Sequence, residues 1–417
     1  MNLYLDGLCC GGSSVHDKTL NISCNVSTTE GLEELARFWT CEDMGSTKNN
    51  SPEEARCEER SIQRGESGRY TVSLPKDEDK LKQLGDSKGI AFRRLQGTDR
   101  RLERDAALRE QYKAFMTEYV RLGHMRRVNA TIRNTDKWCY LSHHPVVKEA
   151  STATKVRVVF DASCKTASGV SLNDALLVGP VIQEDLRSII LRCRTRQIML
   201  VADVEKIFRQ INVNSDERHL QSILWRSSPR DEAVTYELNT VTYGTKPAPF
   251  LATRTLKQLA MDEEQRYPLA AKAITEDTYM DDVLTGSDDA AETMRMQLDK
   301  LMVIGGFQLR KWASNCVEVL RGIPEENLAI RGSEIELDPN PSIKTLGLVW
   351  QPKTDVFKFQ FSIPSIDDNL LITRRQLLSI IATLFDPLGL VDATIAMAKL
   401  FMQQSWTLRD EHDQRFG

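Results

Sequence analysis

The sequence predicts an α+β protein built around an antiparallel sheet. Two observations carry that expectation. Apolar residues recur at helical spacing in several stretches, separated by β-forming runs that do not follow strict βα repetition. The most apolar of those runs, IMLVA, stops at a carboxylate, Asp203. No internal repeat or low-complexity tract occurs, which excludes solenoids. At 417 residues the chain exceeds the size at which one hydrophobic core is comfortable, so two or three subdomains are expected. With 41% hydrophobic and 27% charged residues and no apolar run near the ~20 residues of a membrane span, the chain reads as soluble, with no membrane partner.

The elements follow in order. Residues 1 to about 90 are rich in Ser, Gly, Glu and Lys and read as a partly ordered lead-in. Leu108, Tyr112, Phe115, Tyr119 and Leu122 then form one helical stripe ending before Gly123, and the cations Arg101, Arg104, Arg109 and Lys113 around it read as a solvated surface. YLSHHPVVKEASTATKVRVVFDAS reads as a long β-hairpin in which Val156, Val158 and Phe160 share one face and Lys155, Arg157 and Asp161 the other. A helix carrying Ile182, Leu186, Ile189, Ile190 and Cys193 precedes the IMLVA strand. A second helix follows Pro247 and Pro249 with Leu256 and Leu259 on its face, and a third runs through Met294, Leu298 and Leu301 to Gly305-Gly306.

The formal charge of −4 argues against a generally basic nucleic-acid binder but leaves room for a local basic groove. Nine cysteines without a C-x-x-C pair suit reduced thiols and a cytoplasmic setting. The N-terminus has no basic region followed by an apolar one, so the sequons at Asn21, Asn25 and Asn129 read as chance matches. His143-His144 lacks further ligands at metal spacing, and Cys164 and Cys193 have no activating partner, so all four read as structural.

The chemistry is carried by carboxylates. An apolar strand has no use for an unpaired charge at its end, and two adjacent aspartates between β-formers, as in TYMDDVL, are tolerable only in water or against a cation. A metal satisfies both sites. Oxygen-only donors with no His or Cys nearby suit Mg²⁺. A second doublet, Asp288-Asp289, reads instead as a helix-start signal.

VADVEKIFRQI, YGTKPAPF and YMDD stand in this order, with 78 residues from Asp203 to Asp281, and resemble three motifs of the reverse-transcriptase palm. HHPVVKEAS, KVRVVFDAS, SLNDALLVGP, YGTKPAPFLATRTL, LRKWASN and LFDPLGL resemble the polymerase region of Pao/BEL-type long-terminal-repeat retrotransposons; RFW, EEARCEER, GRYTVSLP and EYVRLGHM resemble the segment upstream of it. The resemblance implies a right-hand polymerase fold with an antiparallel palm sheet: an upstream lead-in with an amphipathic helix over 1–134, fingers and palm over 135–305, and a primer-grip and thumb or connection-like region over 306–417. It also implies an RNA-directed DNA polymerase that uses two Mg²⁺ ions, or Mn²⁺ in their place, to extend a DNA primer on an RNA or DNA template with dNTPs.

Carried over by position, the resemblance makes Asp203, Asp281 and the carbonyl of Val204 metal ligands and Asp282 the accessory carboxylate. Lys148 and Arg157 clamp the incoming triphosphate, Phe208 lies under its sugar, and Tyr243 and Gly244 line the nucleotide site. Lys311 is either a proton donor to pyrophosphate or a surface lysine beside Trp312. Leu346 and Gly347, in KTLGLVW, belong to the primer grip. The rival readings are an aspartic-peptidase-containing polyprotein fragment and an inactive nucleic-acid-binding relic. A peptidase dyad needs Asp-Ser-Gly or Asp-Thr-Gly, which the chain lacks; Asp43-Met44-Gly45 is the nearest approach.

Overall fold

The computed structural model describes residues 19–21, 51–128, 138–147, 156–331, 340–360, 372–382, 386–407 and 415–416. Its elements include β1 (Ile62–Arg64), β2 (Tyr70–Val72), helices α1 (Lys88–Arg104) and α2 (Ala106–Arg121), strands β3 (Ser142–Val147) and β4 (Val156–Asp161), α3 (Leu186–Arg194) and β5 (Ile198–Val204). Helices α4 (Ala248–Glu263) and α5 (Pro268–Glu276), the strand pair β6 (Thr278–Tyr279) and β7 (Asp282–Ser287), α6 (Ala291–Ile304) and β8 (Leu309–Ser314) follow. The series ends with β9 (Ile343–Thr345), β10 (Leu348–Gln351) and β11 (Val356–Gln360).

The lead-in is more ordered than its composition suggests. From Ser51 onward it is part of the main core: Cys57, Tyr70, Val72 and Leu74 are buried there, and β2 pairs in parallel with Asn212–Val213. Tyr70, Val72 and Leu74 alternate with the uncharged Thr71 and Ser73 in a run too short to stand out between the charged residues Arg69, Lys76 and Asp77. Helix α2 keeps the expected register, starting at Asp105, whose carboxylate accepts from the Leu108 amide at 2.9 Å. Its buried stripe is Leu108, Tyr112, Met116 and Tyr119, while Leu122 is exposed because it caps the helix. Helix α5 is not apparent in the apolar pattern, since alanines form most of its buried face.

The central sheet has the order β6-β7-β5-β8, antiparallel throughout. Strand β5 explains its own apolar run. Leu200, Ala202 and Val204 enter the main core, while Met199 and Val201 enter a second cluster with Ile189, Ile190, Cys193, Leu284 and Trp350. A strand buried on both faces must be apolar at every position, and full burial stabilises by about 1.5 to 3 kcal/mol for each large side chain. Because side chains alternate, Asp203 shares the face of Met199 and Val201, where the second cluster ends and a cleft begins. On β7, Asp282 and Leu284 lie opposite Asp203 and Val201.

Strands β3 and β4 form the expected hairpin, with Val146 opposite Arg157 and burial alternating along β4 as Val156, Val158 and Phe160 require. Lys155 lies outside the described residues. Among the described residues no helix is long and apolar enough to cross a membrane, and all five described cysteines are free. His143 is a core residue. Its Nε2–H donates to the Leu224 carbonyl at 2.8 Å, so Nδ1 accepts from the Tyr112 hydroxyl.

Candidate active site

Met280 and Asp281 are the two residues of the turn between β6 and β7, with Tyr279 paired to Asp282. Met280 has φ 58°, a left-handed conformation that costs a non-glycine residue roughly 1 to 3 kcal/mol and persists only where its surroundings enforce it. Two contacts do so. The Met280 amide donates to Gln183 Oε1 at 3.1 Å, and the Asp281 carbonyl accepts from the Val204 amide at 2.7 Å. The tip is thus tied both to the segment before α3 and to the end of β5.

Asp282 and Asp203 are direct cross-strand partners on one face of the sheet. Arg310 on β8 also pairs with Asp203, and a bulge between Arg310 and Ala313 interrupts the ladder. Lys311, within the bulge at φ 54°, turns its Nζ to Asp203 Oδ2 at 2.7 Å. The lysine is 67% exposed and its partner 22%, so the pair adds little stability and serves mainly to place a cation. Asp203, Asp282 and Lys311 line a cleft of about 530 Å³, whose other wall is formed by Pro341 to Thr345 leading into the β9–β10 hairpin.

Charge in the cleft is unbalanced. Burial, and then the neighbouring Asp281 and Asp203, push the Asp282 carboxyl up to about 7 against the pull of Lys311. Asp281 is raised by the protein packed around it and then by Asp203, with Lys311 and Arg157 opposing, although its side chain reaches solvent at the turn and does not line the cleft. Among the described residues no group of three carboxylate, histidine or cysteine side chains is arranged to hold a metal ion. The cleft supplies two facing carboxylates and a third within electrostatic reach.

The remaining expected residues lie on several other elements. Arg157 is exposed on β4 and lies close enough to oppose, weakly, the rise in pKa that burial imposes on both Asp281 and Tyr243. Tyr243 is half-buried, and its hydroxyl donates to the Val158 carbonyl of the same strand. Gly244 has φ +97°, and a Cβ there would lie 2.7 Å from the Phe160 carbonyl oxygen, so glycine is required both by conformation and by contact. Phe208 is partly buried against the main core on the single helical turn Ile207–Gln210. Leu346 and Gly347, with φ 50° and 82°, form the two-residue turn between β9 and β10. Val204 is a buried strand residue, and Lys148 lies outside the described residues.

The sequence does not single out three residues of consequence. Gln183 holds the Met280 amide. Asn173 pins the YGTKP loop, donating from Nδ2 to the Gly244 carbonyl and accepting the Lys246 amide at Oδ1, both at 2.9 Å. Lys344 lines the cleft opposite Asp203. Asn173 stands in a recognised motif, SLNDALLVGP, but neither its role nor that of Gln183 leaves a local sequence signal, since both act through contacts about 70 to 100 residues away.

A family model described as Pao retrotransposon-like RNaseH-like domain matches residues 373–416. It supports the Pao/BEL-type Pol resemblance. The matched segment includes the helices Arg374–Ala382 and Asp392–Thr407 and shares no residue with the cleft. No curated protein matches the chain. Among solved structures, that of the foamy viral protease-reverse transcriptase dRH in complex with ds DNA is similar at 14% identity with a TM-score of 0.44; the match covers 72% of this chain, which spans 43% of the length of that one.

Proposed function

We propose that the chain is an RNA-directed DNA polymerase of a Pao/BEL-type retroelement, with a right-hand arrangement in which the β6-β7-β5-β8 sheet is the palm, the β3–β4 hairpin belongs to the fingers, and the β9–β10 hairpin is the primer grip. One observation carries the reading: Asp203 and Asp282 face each other across adjacent strands at a cleft, beside a strained and doubly tethered turn that carries Asp281. The order of the motifs along the chain supports the same assignment.

The donor set fits a hard divalent cation in its chemistry. It is oxygen-only, and burial, followed by the neighbouring carboxylates, raises the pKa of Asp281 and Asp282 despite Lys311, a condition a bound cation would relieve. By the motif resemblance Asp203 and Asp281, with the Val204 carbonyl, would hold Mg²⁺ and Asp282 would support it, although it is Asp282, and not Asp281, that lines the cleft with Asp203 here. When bound, the metal supplies activation of a primer 3′-hydroxyl and neutralisation of phosphate charge. The chain's own residues do the rest. Arg157 binds the triphosphate of a dNTP, Phe208 and the Tyr243-Gly244 loop shape the space around the sugar, and Lys311 holds Asp203 and stands ready to protonate the leaving group. The partner is a nucleic-acid template with its primer, as the ordered polymerase motifs imply. A peptidase is not supported: no Asp-Ser-Gly or Asp-Thr-Gly occurs, and Asp43 lies outside the described residues.

Primer extension on poly(rA)/oligo(dT) with Mg²⁺ and dTTP tests the reading. Wild type should extend; Asp203→Asn should lose on the order of 10³-fold in rate, about 4 kcal/mol, while its affinity for the template-primer stays within a few-fold. Extension by Asp203→Asn at the wild-type rate refutes the assignment.

A further inference from the structure

We propose that the outward face of α1 is a binding surface for the phosphate backbone of a nucleic-acid strand, an extension that rests on the nucleic-acid reading of the cleft. The helix carries six cations and two acids, a net +4 in a chain of −4, so the remainder is at −8. Of the acids, Asp99 is buried and takes Arg226 Nε and Nη2 at 3.0 and 2.7 Å, leaving Glu103 as the exposed one. At 100° per residue, Arg93, Gly97, Arg100 and Arg104 fall within about 60° of arc along one line, and Arg94 and Arg101 form a second row beside it. Arg93 and Arg104 stand about 16 Å apart, the axial rise of several nucleotides.

An ordinary solvated helix mixes its charges, whereas here Arg93, Arg94 and Arg104 are exposed and make no ion pair among the described residues. Gly97 is the second observation. An interior glycine weakens a helix, yet a Cβ at this position would meet nothing within 4 Å, so packing inside the protein does not require it. It leaves bare backbone between Arg93 and Arg100, where a polymer can approach closely. The apolar residues Ala91, Leu95 and Leu102 are buried in the main core, so no apolar face remains for a bilayer and the chemistry favours a polyanionic strand. The helix also packs on the hairpin that bears Arg157: from its buried side Thr98 Oγ1 donates to the His143 carbonyl at 3.3 Å, and from its flank Arg101 Nη1 donates to the Pro145 carbonyl at 3.2 Å.

The test is binding of the full chain to a fluorescein-labelled 30-nucleotide oligo(dT), without nucleotide, between 50 and 300 mM NaCl. Arg93→Gln/Arg100→Gln/Arg104→Gln should bind about 10-fold more weakly at 100 mM and show a log-log salt slope shallower by roughly 2, with the melting temperature retained. Neutralising the exposed Lys257, Lys272 and Lys300 instead should leave both unchanged. Asp203→Asn should bind as wild type, which separates this surface from the catalytic reading. Unaltered affinity and slope in the arginine triple variant, an equal loss in the lysine variant, or preferential binding to phosphatidylserine vesicles over the oligonucleotide would each overturn the proposal.

Discussion

Strand β7 has an aspartate doublet at each end, and the two ends have little else in common. Asp281-Asp282 begins the strand at a turn with left-handed backbone, with Asp282 opposite Asp203 and burial and like charge pushing its carboxyl up to about 7. Asp288-Asp289 follows its other end in solvent. There Asp288 accepts the Gln197 amide at 2.9 Å and lies 3.6 Å from Arg196, and Asp289 accepts from the Ser287 hydroxyl at 3.4 Å. Identical residues on one strand therefore differ in what they demand. One doublet has its charge answered by the protein; at the other, burial and like charge hold the carboxyls above their usual range, which the proposed cation would relieve.

The largest consequence is catalytic. Asp281→Asn should reduce Mg²⁺-dependent extension by on the order of 10³-fold, while Asp288→Asn should remain within two-fold of wild type, since an exposed pair contributes at most about 1 kcal/mol. Comparable rates for the two variants, measured side by side on one template-primer, would erase the distinction.

The histidine doublet repeats the contrast in another chemistry. His144 is exposed, whereas His143 is fully buried, and burial pushes its pKa down to about 4. Burial, then nearby Arg209, also lowers His124 to about 4. A histidine with a folded pKa below its unfolded 6.5 binds fewer protons in the folded state. Its stability contribution is therefore intact above pH 6.5 and is lost as pH falls toward 4, by up to about 3 kcal/mol for His143. Between pH 7.5 and 5.0 the loss of stability in urea should be smaller in His143→Gln than in wild type by about 2 kcal/mol, with His124 acting in the same sense and Asp282, whose carboxyl is raised, in the opposite sense in both proteins. A pH dependence identical in the variant would contradict the burial argument.

The smallest effect concerns positioning. Gln183→Leu removes the acceptor of the Met280 amide without touching a carboxylate, so kcat should fall about 10-fold, the 1.4 kcal/mol of one such hydrogen bond, with little change in KM or melting temperature. Gln183→Glu, which keeps an acceptor oxygen, should recover most of it. Equal losses in both variants would mean that the side chain acts some other way.

The legible parts of this molecule are those whose cause is local. IMLVA announces a doubly buried strand because every position must be apolar, and Gly244 stands out in its motif because a Cβ has no room against Phe160. The illegible parts have distant causes. The bulge that turns Lys311 onto Asp203 depends on pairing between β8 and β5, and Gln183 meets Met280 across 97 residues. The charged flanks of Tyr70, Val72 and Leu74 hide their place in the core. Asp288-Asp289 is no helix start either: Ser287 Oγ, and neither aspartate, accepts the Ala290 amide at the head of α6.

The most direct test of the difference between the doublets localises the cation without relying on turnover. Fe²⁺ substituted for Mg²⁺, with ascorbate and peroxide, cuts backbone next to where it is bound, and the fragments can be mapped by mass. Cleavage near Asp203 and Asp281-Asp282, competed by excess Mg²⁺ and lost in Asp203→Asn, is the predicted result. Cleavage concentrated at Asp288-Asp289, or none at Asp203 and Asp281-Asp282 under conditions that support extension, would contradict it.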